Sequence, residues 1–80
     1  MNNLKNGEID YNIIKEINDS LHFIDYFYND VNYSLNEGLK NTNNWRNTYM
    51  GDTRMSISLL IKHLKTLDEI ILNNFTCYYD

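Results

Sequence analysis

Apolar residues fall alternately three and four positions apart along most of this 80-residue chain. In the first half the series is Ile14, Ile17, Leu21, Ile24, Tyr28, Val31 and Leu35, and the same register continues to Gly38. A polar stretch, Asn41-Thr42-Asn43-Asn44, then ends on the single tryptophan, Trp45. Beyond it the rhythm resumes through Met50, Ile57, Leu60, Leu64, Leu67, Ile71 and Tyr78, with Thr53 and Asn74 as polar exceptions. A repeat averaging 3.5 residues keeps one face of an α-helix apolar over its whole length. Two such helices joined by a short polar turn close on each other as an antiparallel hairpin. The spacing predicts an all-α fold, a two-helix hairpin in which Ile14, Ile17, Leu21, Ile24, Val31 and Leu35 face Ile57, Leu60, Leu64, Leu67 and Ile71. Such a chain is built to associate lengthwise with other helices.

Composition supports helices and narrows the function. Proline is absent and the only glycines are Gly7, Gly38 and Gly51, which suits long helices and disfavours a turn-rich sheet. A hydrophobic share of 42% excludes a disordered tail. The aromatic share of 14% is more than two helices can cover by themselves. A net charge of −4, with seven scattered basic residues, lacks the electrostatic footprint of a nucleic-acid binder. The apolar run from Ile57 to Ile61 is interrupted by Ser58 and stops at Lys62, so no membrane span is expected. Residues 1–10 lack the apolar core of a signal peptide. The expected location is therefore cytoplasmic, with any export following a route other than the general secretory one. The lone Cys77 rules out an internal disulfide framework.

The chain reads as a single domain over residues 1–80. Residues 1–8 form a lead and Asp10 is the expected N-cap, since it precedes the first apolar positions. The first helix is expected over about 11–39, roughly 40 Å at 1.5 Å per residue, with Gly38 punctuating its end. A connection over 40–46 precedes a second helix over about 47–74 and a tail over 75–80. Asn44 or Asn47 can cap an early start for this helix, and Asp52 a later one. The early start is preferred because Met50 already keeps register with Ile57.

No catalytic or metal-binding pattern is present. His22, His63 and Cys77 show no spacing of a metal site. Cys77 has no basic neighbour to activate its thiol. Carboxylate pairs such as Asp68-Glu69 read as solvated helix faces, and no glycine-rich phosphate loop occurs. An enzyme, a cofactor and a small-molecule substrate are therefore not expected.

Several apolar residues fall outside the main register. Phe23 and Phe27 lie four apart on one flank, and Tyr26 and Tyr33 lie seven apart on another. On the second helix Leu59, Ile61, Ile70 and Leu72 lie off the seam. These side chains either widen the hairpin's own interface or form a second face for a protein partner. Two helices offer no third layer to cover a second face, which favours a partner that completes a bundle. The candidate partner-binding residues are Phe23, Tyr26, Phe27, Tyr33, Trp45, Leu59 and Ile70. Trp45 serves equally as a plug for the open end of the hairpin and as an interface anchor.

A helix, a short turn carrying tryptophan and a second heptad helix in so short a chain resemble the WXG family. These are the early-secreted-antigen-like hairpins of type VII (ESX) secretion systems. The family carries Trp-x-Gly in its turn; here the motif residues are Trp45, Asn47 and, four residues on, Gly51. Asparagine tolerates left-handed backbone better than most residues, so the substitution leaves a similar turn open. The opening Gly7-Glu8-Ile9-Asp10-Tyr11 is similar to that of small proteins encoded beside LXG toxins in Gram-positive bacteria. The resemblance implies a targeting partner that pairs with a toxin's N-terminal helices or with a sister hairpin. The family's export signal, Tyr-x-x-x-Asp/Glu after the second helix, is unmatched, since Phe75 precedes Asp80 by five residues. Tyr26-Phe27-Tyr28-Asn29-Asp30 matches formally but lies inside the first helix. These departures fit a protein that is handed over, or exported, as part of a complex. The rival readings are a non-exported immunity protein or antitoxin, and a phage or plasmid protein that homodimerises as a four-helix bundle.

Overall fold

A computed structural model describes residues 10–40 and 47–75. They form two helices, α1 (Tyr11–Leu39) and α2 (Thr48–Asn74), with no strand among the described residues. Each helix begins on a side-chain cap. Asp10 is extended, and its carboxylate accepts from the Asn12 amide at 2.8 Å. Asn47 is likewise extended, with φ −79°, and its side-chain oxygen accepts from the Met50 amide at 3.3 Å. Asn47 thus serves as the N-cap of an early start, and it takes extended rather than left-handed backbone because an N-cap must aim its side chain at the first turn. The Asn47 Nδ2 also donates to the Gly38 carbonyl at 2.8 Å. One side chain therefore serves an amide at the start of α2 and a carbonyl at the end of α1.

The helices are antiparallel. Ser34, late in α1, meets Thr53, early in α2, whereas Phe23 and Phe27 meet His63 further along. The result is a rod of 59 × 26 × 18 Å. Its radius of gyration is 17.5 Å, against about 12 Å for a compact chain of this length.

The residues between the helices differ from the expected seam. Ile17, Ile24 and Val31 are half-buried and Gly38 buried, as the register requires. Alongside them, however, the inward positions are Ile13, Ser20, Phe27 and Ser34. Ile14, Leu21, Tyr28 and Leu35 are exposed. On α2 the same displacement occurs: Tyr49, Ser56, His63 and Ile70 turn inward with Thr53, Leu60, Leu67 and Asn74, while Ile57, Leu64 and Ile71 stay exposed. Met50 remains half-buried against Gly38. The seam thus runs one residue earlier than hydropathy alone indicates.

Size explains the displacement. Near the turn the Met50 side chain packs against Gly38, where an added Cβ would lie 2.9 Å from its methyl. Ser34 and Thr53 touch hydroxyl to hydroxyl at 2.7 Å. Each hydroxyl also lies 2.8 Å from the carbonyl one turn back, Asp30 and Tyr49 respectively. A hydroxyl has one proton, so one of the pair donates across the interface while the other donates to its own turn. Leucine at either position would neither fit nor satisfy this geometry. Ile13, at 4% exposure, is the one buried hydrophobic residue among those described; Ser20, Ser34 and Thr53 are the buried polar ones.

Candidate helix-docking surface

In an antiparallel pair the residues displaced from the seam fall on the same side of both helices. Ile14, Leu21, Tyr28 and Leu35 on α1 therefore adjoin Ile57, Leu64 and Ile71 on α2. Counted from the Ser34–Thr53 contact, Leu21 stands within a turn of Leu64, and Tyr28 within a turn of Ile57. Leu21, Ile24, Asp25, Tyr28, Leu60 and Leu64 together line an open groove of about 410 Å³. Leu21 is 49% and Leu64 46% exposed. Fully burying a leucine contributes about 1.5–3 kcal/mol, so a row of half-exposed ones leaves much of that contribution unrealised. A contiguous apolar face of this kind marks an interaction surface.

Asp25 is the one charged residue lining this groove. Its carboxylate makes no hydrogen bond or ion pair among the described residues. Two surface ion pairs are local to α1 and its end: Lys15 with Asp19 at 3.3 Å and Lys40 with Glu37 at 2.7 Å. The Glu37 hydrogen bond, and then its charge, raise the pKa of Lys40 above the usual lysine value.

The residues nominated from sequence have a different distribution. Phe23, Tyr26 and Phe27 come together in one aromatic cluster around His63. The imidazole stacks on Phe23 at 4.6 Å and on Phe27 at 5.5 Å, and Tyr26 meets Phe27 edge-on at 5.1 Å. Phe27 is half-buried, whereas Phe23 and Tyr26 keep exposed surface. Tyr33 is exposed and lines a groove on the opposite flank with Asp30, Tyr49 and Asp52. Leu59 is half-buried beside Gly51, Arg54, Met55 and Ser58. Ile70 is half-buried on the inward stripe of α2. Trp45 lies outside the described residues. Of the turn-motif residues, Asn47 is the N-cap of α2 and Gly51 sits in its first turns, exposed, with open space where a Cβ would stand.

Sequence reasoning assigned Leu21, Tyr28 and Leu64 to the hairpin's own seam and so missed them as a surface. The available signal was the run of small residues Ser20, Ser34, Gly38, Thr53 and Ser56, which share the seven-residue repeat and permit close approach. Among the described residues no three His, Cys, Asp or Glu side chains converge to hold a metal ion. No described helix is long and apolar enough to cross a membrane. Comparison with protein-family models, curated proteins and solved structures gives no match.

Proposed function

We propose that this chain is a small, non-enzymatic helical adaptor of a type VII secretion system, which docks the N-terminal helices of an LXG-type toxin or a sister hairpin. The observation that carries the reading is the division of labour between the stripes. Small and polar residues join α1 to α2, while Leu21, Tyr28, Ile57 and Leu64 stay at the surface. Two partner helices laid along that face would complete a four-helix bundle and withdraw it from water. The work done is packing: a hairpin weak in its own core becomes one half of a shared core.

The test is co-expression with an LXG-type protein encoded beside it, followed by co-purification. The wild-type chain is expected to bring the partner down, and Leu21→Asp with Leu64→Asp to lose it while keeping its helicity. Phe23→Ala, Phe27→Ala and Trp45→Ala measure whether the aromatic flank adds to the interface. A complex that survives both leucine changes contradicts the proposed surface, and a genomic neighbourhood without such a reading frame contradicts the proposed system.

A further inference from the structure

We propose that His63 is a proton-sensitive clasp between the helices: once protonated, its ring is gripped by Phe23 and Phe27, and the hairpin tightens in mildly acidic solution. The proposal is independent of the docking reading above. The imidazole of α2 lies nearly parallel to two phenyl rings of α1, at interplanar angles of 15° to Phe23 and 13° to Phe27. The centroid distances of 4.6 and 5.5 Å present the π-faces of both rings to one imidazole. A neutral imidazole gains only stacking from this arrangement. An imidazolium is attracted in addition by the quadrupole of each ring.

Hydration opposes the charge little at this position. His63 is half-buried and makes no hydrogen bond or ion pair among the described residues. No side-chain nitrogen or oxygen of those residues is buried without a partner. The imidazole nitrogens therefore stay open to water, so the cation keeps solvent at its edge while the phenyl rings cover its plane. The surrounding charge favours the same form. α1 carries five carboxylates against the single Lys15, whereas α2 carries three acidic and three basic residues. Asp19 lies one turn before Phe23 and holds Lys15 at 3.3 Å, and Asp30 lies one turn after Phe27. Tyr26 meets Phe27 edge-on, and Asp25 belongs to the aliphatic groove. On α2 the positions one turn from His63, Leu59, Leu60, Thr66 and Leu67, are uncharged. Lys62, Lys65 and Glu69 line a groove of their own. An imidazole titrates near about pH 6.5 in water. A folded chain that takes up this proton more readily than the unfolded one is stabilised below that pH and loses the contribution as pH rises through the range.

Thermal melts of the full chain at about pH 5.5 and about pH 8 bracket the imidazole and leave the carboxylates ionised. The comparison is His63→Phe, which keeps a ring between the helices and cannot take a proton. Relative to that variant, the wild-type midpoint is expected to rise by at least about 4 °C on going to the acidic buffer. His22→Gln, at the exposed position beside Phe23, should keep the whole gain. Phe23→Leu, at a position 49% exposed, should lose a large part of it, because one π-face goes while every charge stays. The reading is the difference between two pH values within each chain, so a uniform change in stability leaves it legible. The same pH response in His63→Phe as in the wild type, or its abolition by His22→Gln, overturns the role of His63. A full gain in Phe23→Leu overturns the role of the rings. A wild type that loses stability on acidification relative to His63→Phe contradicts the sign, and with it the clasp.

Discussion

Each helix carries two stripes that share one row of residues and differ in the row beside it. On α1 both contain Ile17, Ile24, Val31 and Gly38; the inward stripe adds Ile13, Ser20, Phe27 and Ser34, and the outward one Ile14, Leu21, Tyr28 and Leu35. Judged by hydropathy the outward stripe is the better core, yet it faces solvent. The inward stripe succeeds through size and hydrogen bonding, because Ser34, Thr53 and Gly38 let the backbones close and Asn47 ties their ends. The contrast teaches that a helix pair can close on small residues set among apolar ones and leave larger aliphatic side chains at its surface.

The largest expected effect compares two adjacent isoleucines. Ile13→Ala should cost about 2 kcal/mol or more, since it opens a cavity at the one buried hydrophobic position. Ile14→Ala, at a position 36% exposed, should cost well under about 1 kcal/mol. Urea denaturation of both variants measures the difference, and equal losses would erase the distinction between the stripes. Next in size is Asn47→Ala, expected to cost about 1 kcal/mol as a lost cap, with the tie to Gly38 adding to it. Urea midpoints measure that loss.

A double-mutant cycle on Ser34→Ala and Thr53→Ala sharpens the comparison further. The coupling is expected at about 0.5–1.5 kcal/mol, the range of a net hydrogen bond. Zero coupling would mean that the hydroxyl contact contributes nothing to inward packing. Smallest is Gly51→Ala, which should stabilise the chain by about 0.5–1 kcal/mol by favouring the helix, because nothing stands within 4 Å of the new Cβ. Thermal melts give the sign, and a loss would reveal a neighbour at that site.

What was legible in the sequence was local. Heptad spacing, the absence of proline and the side chains of Asp10 and Asn47 specify helices and their starts, because each acts within one or two turns. The choice between two adjoining stripes was not legible from apolarity. Leu21 outranks Ser20, Leu35 outranks Ser34 and Leu64 outranks His63 on any hydropathy scale. How closely two backbones approach is instead a property of the pair, fixed by Gly38 against Met50 and Ser34 against Thr53. The bond from Asn47 to Gly38 and the stacking of His63 on Phe23 and Phe27 are likewise tertiary. Asp25 reads in sequence as one more solvated carboxylate; only the closed hairpin sets it in the wall of an apolar groove.

The most direct test introduces charge on the outward stripe. In Leu21→Asp with Leu64→Asp, helicity by circular dichroism and the thermal midpoint should stay close to those of the wild type, since both side chains are half-exposed and leave the inward stripe untouched. Loss of helicity, or a collapse of the midpoint comparable to that of Ile13→Ala, would show that these leucines hold the hairpin together and would contradict the division between the stripes.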